Sequence, residues 1–319
     1  MPFYLLAKET VEDGIKRIVN EEIAQAIKDI DNRRLKRTEA VHEVRKRCKK
    51  IRAVLRLTRP QFEETYQFEN TWFRDTAKGL AELRDAAAMI ETYDSLLENF
   101  SDQIDRRAFA PVRRALTLRR KQITEETGDL GERLEEFRAR LQKAAERVVD
   151  WNLKAKEFDA IEGGLVATYR RARKTTTAAY DDPTAENFHE WRKQTKYHGY
   201  HMRLLRELWK PPMRSLRKEV DELSDLLGDD HNLAVFYKIL LESPDKYGDK
   251  RDIQALLGLI DRRSAELRVE AKTLGARIFA EKANAFGRRF RIYWEVWRSE
   301  GERPSKKLSE EPAVVTAAG

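Results

Sequence analysis

Residues 41–57 of this chain, VHEVRKRCKKIRAVLRL, return further along as FHEWRKQTKYHGYHMRLL from Phe188. An offset of 147 residues carries His42 onto His189, Glu43 onto Glu190 and Arg45 onto Arg192. It also carries Lys46 onto Lys193, Lys49 onto Lys196 and Arg56 onto Arg203, then Leu80 onto Leu227 and Ala87 onto Ala234. A register held without a gap over about 45 residues marks a tandem duplication. The fold must therefore accommodate two copies of one helical unit, about 5–148 and about 152–298, in a chain long enough for two ordinary domains or one large one.

The composition says what that unit is made of. Charged residues are 37% of the chain and apolar residues 41%, with only 14 Gly and 9 Pro in 319 residues. Ala, Leu, Glu, Lys and Arg in such excess build long amphipathic helices with solvated outer faces, and strand and turn signals are too sparse for a β fold. Apolar spacing predicts helices over 11–30, 38–58, 69–99 and 104–147, the last kinked near Gly128 and Gly131. In the second half it predicts 154–180, 184–208, 213–242 and 251–297. Breaks fall at Thr58-Arg59-Pro60, Asp181-Asp182-Pro183, Lys210-Pro211-Pro212 and Ser243-Pro244-Asp245. Thr38 and Thr184 stand where helix starts are expected. Four helices per half give an all-α fold of two tandem four-helix bundles. The tail over 304–319 has no periodicity and is expected to be disordered.

Geometry turns the repeated motif into a chemical statement. At ~100° per residue, Arg45, Lys46, Lys49, Arg52 and Arg56 fall with His42 in a stripe roughly 120° wide. Val41, Val44, Cys48, Ile51 and Leu55 take the opposite side. The second copy repeats this, with His189, Arg192, Lys193, Lys196 and Arg203 on the stripe and Trp191, Thr195 and Met202 facing inward. Like charges one helical turn apart repel, and a solvated face usually interleaves both signs. Glu43 and Glu190 sit about 100° round from their histidines, so the expectation is that an outside anion, rather than protein carboxylates, neutralises the rows. The net charge of +8 and pI near 9.4 point the same way without proving it.

Other features are weaker. In Tyr169-Arg170-Arg171-Ala172-Arg173-Lys174, the cations Arg170, Arg173 and Lys174 share a helix face, an anion patch or a solubilising one. His231 aligns with Arg84, which makes either a phosphate contact or a structural polar contact. His198 aligns with Ile51 on the core side, and His201 with Val54 at its edge. Their spacing fits a metal, but no carboxylate or thiol completes a set nearby, so neither metal nor cofactor is expected. No P-loop, GxSxG, HExxH or CxxC occurs, and the expectation is a protein without enzymatic activity. Cys48 is the sole cysteine, the N-terminus lacks a signal peptide's features, and no apolar run is long enough to span a membrane. A cytoplasmic location without a membrane partner is expected.

The two motifs, with YRRARK…DPTAENFHEWRK and LGDDHNLAV at 227–235, resemble the signatures of the CHAD family, the conserved-histidine α-helical domain. The resemblance runs over roughly residues 5 to 298 and implies that 1–303 form a single domain. It implies two four-helix bundles related by a pseudo-twofold axis with a basic channel or groove between them. It further implies binding of inorganic polyphosphate and association with polyphosphate granules. Carried onto matching positions, the implied contacts are His42, Arg45, Lys46, Lys49, His189, Arg192, Lys193 and Lys196, with Arg170 and Arg173. Arg52, Arg56 and Arg203 rest on the helical wheel. Relatives fused to a triphosphate-tunnel domain carry an ExExK motif, which this chain lacks, so no triphosphatase activity is expected. The alternatives are nucleic-acid binding, disfavoured by the scarcity of aromatics on the stripes, and a metal-dependent phosphohydrolase built on His198, His201 and His231.

Overall fold

A computed structural model describes residues 3–78, 81–126 and 129–302, with backbone alone for 63–64, 77–78, 81–85 and 302. The tail over 304–319 lies outside the described residues. Among those described the fold is all helical. The α-helices are α1 (Val11–Asp31), α2 (Arg37–Leu57), α3 (Arg59–Lys78), α4 (Ala81–Asn99), α5 (Ala110–Glu126) and α6 (Leu130–Val148). Then come α7 (Asp159–Asp181), α8 (Ala185–Leu204), α9 (Lys210–Glu242), α10 (Lys250–Ile278) and α11 (Ala283–Glu302).

Capping chemistry sets several boundaries. Thr10 accepts from the Asp13 N–H at 3.1 Å, and Thr184 from the Asn187 N–H at 3.3 Å, as expected for the start of α8. Thr38 does not cap α2. That helix starts one residue earlier, where the Glu39 carboxylate accepts from the Lys36 backbone N–H at 3.1 Å. The 59–68 stretch, expected as a connection, belongs to α3, because Pro60 sits in a first turn where its missing N–H is not needed. The predicted helix over 104–147 is divided rather than kinked: Asp129 accepts from the Gly131 N–H at 2.7 Å and begins α6 anew. The single helix expected over 251–297 is also two. At the end of α10 the Tyr169 hydroxyl donates to the Ile278 carbonyl at 3.3 Å, and the chain turns before α11.

The apolar residues form two cores, and each draws on both repeats. The larger joins α1, α2, α3 and α6 to α7, α8, α11, the first half of α9 and the end of α10. The smaller joins α4 and α5 to the second half of α9 and the start of α10. A bundle confined to each repeat is therefore not how the hydrophobic surface is buried. The reason is geometric: α9 and α10 are long enough to cross from one core to the other.

The same arrangement brings the two motif helices together. α2 packs against both α7 and α8. Gly164 of α7 lies so close beneath the end of α2 that a Cβ there would run into the carbonyl oxygens of Leu57 and Arg56. Across the second contact the His201 ring nitrogen Nε2 bonds the Ala53 carbonyl at 3.0 Å. No helix among the described residues is long and apolar enough to cross a membrane.

Candidate anion-binding seam

The inward faces of both motif helices are as the wheel predicts. Val41, Val44, Cys48, Ile51 and Leu55 of α2 are fully buried, as are Trp191, Thr195 and Met202 of α8. Burial pushes the Cys48 thiol up to about 12, despite Arg52 and Arg45 nearby. Two α2 cations that lie off the stripe have dedicated partners. Arg47 and Lys50 both reach the buried Glu22, at 3.1 and 2.7 Å.

The stripe itself is less uniform than a wheel suggests. Along α2, His42, Lys46 and Lys49 are exposed and Arg45 is half-buried. One and two turns on, the stripe meets α8, because Ala53 lies on the same side and is covered by His201. Arg52 and Arg56 are accordingly half-buried. Arg52 donates to the Asn70 amide oxygen at 3.1 Å, while the Arg56 guanidinium lies over the Tyr197 ring at 4.0 Å. Both sit where α2 and α8 join, rather than on an outward-facing row.

Along α8 the cations crowd. Lys196 lies in a cleft of about 240 Å³ with Tyr200 and Arg203 of its own helix and Asp221, Ser224 and Asp225 of α9. Burial, Arg192, and Lys49 from the other repeat drive the Lys196 ammonium down to about 7, with Asp225 acting the other way. Rows from both repeats thus come within electrostatic reach of one lysine.

Two residues that sequence spacing kept apart meet here. His189 and His231 place their Nδ1 atoms 3.2 Å apart, across the contact between α8 and α9. Burial together with Arg192 and Lys193 lowers His189 from the usual imidazole range. Burial, Arg192 and His189 press His231 down to about 4. Nearer the start of α9, Asp221 takes the Arg203 guanidinium at 2.8 Å. Asp221, Asp225 and Asp229 recur at one-turn spacing along α9. Asp229 is raised by burial and by Asp225, against the pull of Arg263, Arg192 and Lys196.

Protein carboxylates therefore reach part of the rows, which corrects the expectation that none would. Lys46 pairs with Glu43 at 3.1 Å, and Lys193 pairs with Glu190. The reason is reach: at three residues' separation a flexible lysine spans the angular gap that the wheel assigns to its Cα. Those two pairs are partly exposed and add little to stability.

The remaining sequence candidates lie elsewhere. Arg170 donates to the Asn284 amide oxygen of α11 at 3.1 Å. Arg173 acts on the Tyr169 hydroxyl at the end of α10, and Lys174 is exposed. The Asn284 bond turns Arg170 toward α11, while Arg173 lies within electrostatic reach of the Tyr169 hydroxyl. The Arg84 side chain lies outside the described residues. His42 opens onto a cleft of about 730 Å³ bordered by Glu39, Glu43, Glu91 and Arg120, so the first repeat's histidine has acidic company where the second has His231.

His198 and His201 belong to the core. His198 is ringed by Tyr169, Phe279 and Phe286 at 5.4–5.6 Å between centroids, with neither nitrogen hydrogen-bonded. Burial takes His198 down to about 3 and His201 to about 4. They share no site with His231, and among the described residues no three His, Cys, Asp or Glu side chains gather as a metal centre.

The fold and the seam define an all-α protein with cations of two repeated helices gathered along one join. A family model described as the CHAD domain matches residues 17–241, and the chain belongs to that family. The match takes in both motif helices and nearly all of α9, but not α10 or α11. Comparison with curated proteins finds no match.

Proposed function

We propose that this protein binds inorganic polyphosphate along the seam formed by α2, α8 and α9, as a binding protein rather than an enzyme. The observation that carries the reading is the crowding of Arg192, Lys49 and Arg203 around the half-buried Lys196. Burial, and after it that crowding, suppresses the very charge the lysine contributes, and a polyanion laid beside it would relieve the cationic part of that cost. Guanidinium groups take phosphate oxygens in pairs, while lysines act as point charges. Asp221 and Asp225 share the seam, so the polymer competes with them for Arg203 and Lys196. Family membership supports the same ligand. A pseudo-twofold relation between the repeats, a continuous basic groove, and a cytoplasmic location at polyphosphate granules complete the proposal.

Competition tests it. Labelled polyphosphate bound to the protein is titrated with unlabelled polyphosphate, single-stranded DNA and RNA at equal phosphate concentration. Preferential displacement by polyphosphate, with affinity falling steeply as salt rises, supports the reading. Equal displacement per phosphate by nucleic acid overturns it.

A further inference from the structure

We propose that occupation of this seam by a phosphate chain is coupled to proton uptake, with Lys196 and the His189–His231 pair as the groups that gain protons. The inference rests on the polyphosphate reading and concerns how the same site is regulated.

The geometry of the histidine pair is the first support. Two Nδ1 atoms at 3.2 Å hold one hydrogen between them, so one ring donates and the other accepts. A second proton on the facing nitrogens sets two N–H groups against each other and breaks the bond. Within α8 the pair is faced by Arg192, Lys193 and Glu190, and further along by Lys196. On α9, Asp229 and Asp230 immediately precede His231 in the chain. Asp230 is taken by Arg268 of α10 at 2.8 Å, and Asp229 lies in the field of Arg263 of α10 and of Arg192 and Lys196 of α8. Cations thus dominate the surroundings of the pair. An arriving phosphate reverses that sign, and each ring then donates a hydrogen to a phosphate oxygen.

Lys196 is the second support, and the clearer one. Arg192 and Arg203 face it from α8 and Lys49 from α2, with Asp225 from α9 opposing them. Its cleft also holds the Tyr200 ring, Ser224 and Asp221, the last of which is taken by Arg203. Near pH 8 an amine held down to about 7 is mostly neutral. A phosphate oxygen beside it stabilises the ammonium form, and solvent supplies the proton that adds to Nζ. If the bound amine returns to an ordinary lysine value, uptake near pH 8 is about 0.9 proton per site. Affinity then falls about eight-fold per pH unit in that range, beyond any loss due to other groups.

The test is calorimetric titration of the full chain with polyphosphate near pH 8, in buffers of different ionisation enthalpy. The slope of observed heat against buffer enthalpy counts protons. Wild-type protein is expected to take up close to one proton. Lys196→Arg keeps the cation but cannot titrate here, so it is expected to bind with that uptake abolished and its pH dependence flattened. Near pH 6 the wild type is expected to take up a further fraction of a proton that His231→Gln removes. Binding without proton uptake near pH 8, or an unchanged count in Lys196→Arg, overturns the coupling while leaving polyphosphate binding intact. Failure of the wild type to bind polyphosphate at either pH overturns the functional reading itself.

Discussion

Replacing His198 by Phe should make the protein less sensitive to acid. His198 and His201 are 1% and 0% exposed and stay neutral when folded, their pKa values pressed down to about 3 and about 4. An unfolded histidine titrates near 6.5. Because the folded values are depressed, stability is complete above the unfolded value and is lost as pH falls from there toward 4 and 3. Between about pH 7.5 and pH 5, each such histidine removes about 2 kcal/mol. The histidines of the seam are also lowered and add in the same direction, so the wild-type loss alone is not diagnostic. The difference between variants is. Phe at 198 enters a ring of Tyr169, Phe279 and Phe286 and leaves no imidazole nitrogens without partners. Urea unfolding followed by circular dichroism at both pH values should show His198→Phe losing about 2 kcal/mol less than wild type on acidification. Equal losses in the two folded proteins would refute the reasoning.

Two other substitutions or treatments probe the packing. Gly164→Ala, which in an open helix adds up to about 1 kcal/mol of stability, should instead lower the melting temperature, because its Cβ meets the carbonyls of Leu57 and Arg56; a neutral or raised melting temperature would mean α2 and α7 do not approach so closely. Cys48 is fully buried with its thiol pushed up to about 12, so a thiol reagent should label it only in denaturant; rapid labelling of native protein would contradict that burial.

What could be read from the sequence was local and periodic. The apolar side of α2, from Val41 through Leu55, follows from 3.6-residue spacing and is fully buried. The cationic stripes follow from the same wheel. Periodicity reports which face is apolar but not what covers it, which is why the sharing of both cores between repeats was not legible. The same limit explains the burial of Ala53 under His201, which turns Arg52 and Arg56 into the join between helices. His231 and the α9 aspartates lie too far along the chain for spacing to pair them with α8. The stretch from Asp221 to His231 held the signal, since Asp221, Asp225 and Asp229 repeat at the period that matches a facing helix. The break between α10 and α11 carried no Pro or Gly at 279–282, and a tertiary contact from Tyr169 closes α10 there.

The central claim is that cations from both repeats act on one ligand in one place. Arg45→Ala, Arg192→Ala and the double variant, each checked by circular dichroism for intact helices, bear on it most directly through polyphosphate affinity. Charge-assisted hydrogen bonds contribute about 1.5–3 kcal/mol each, so each single variant should bind at least ~10-fold more weakly and the double at least ~100-fold. A folded double variant that keeps wild-type affinity would contradict the account.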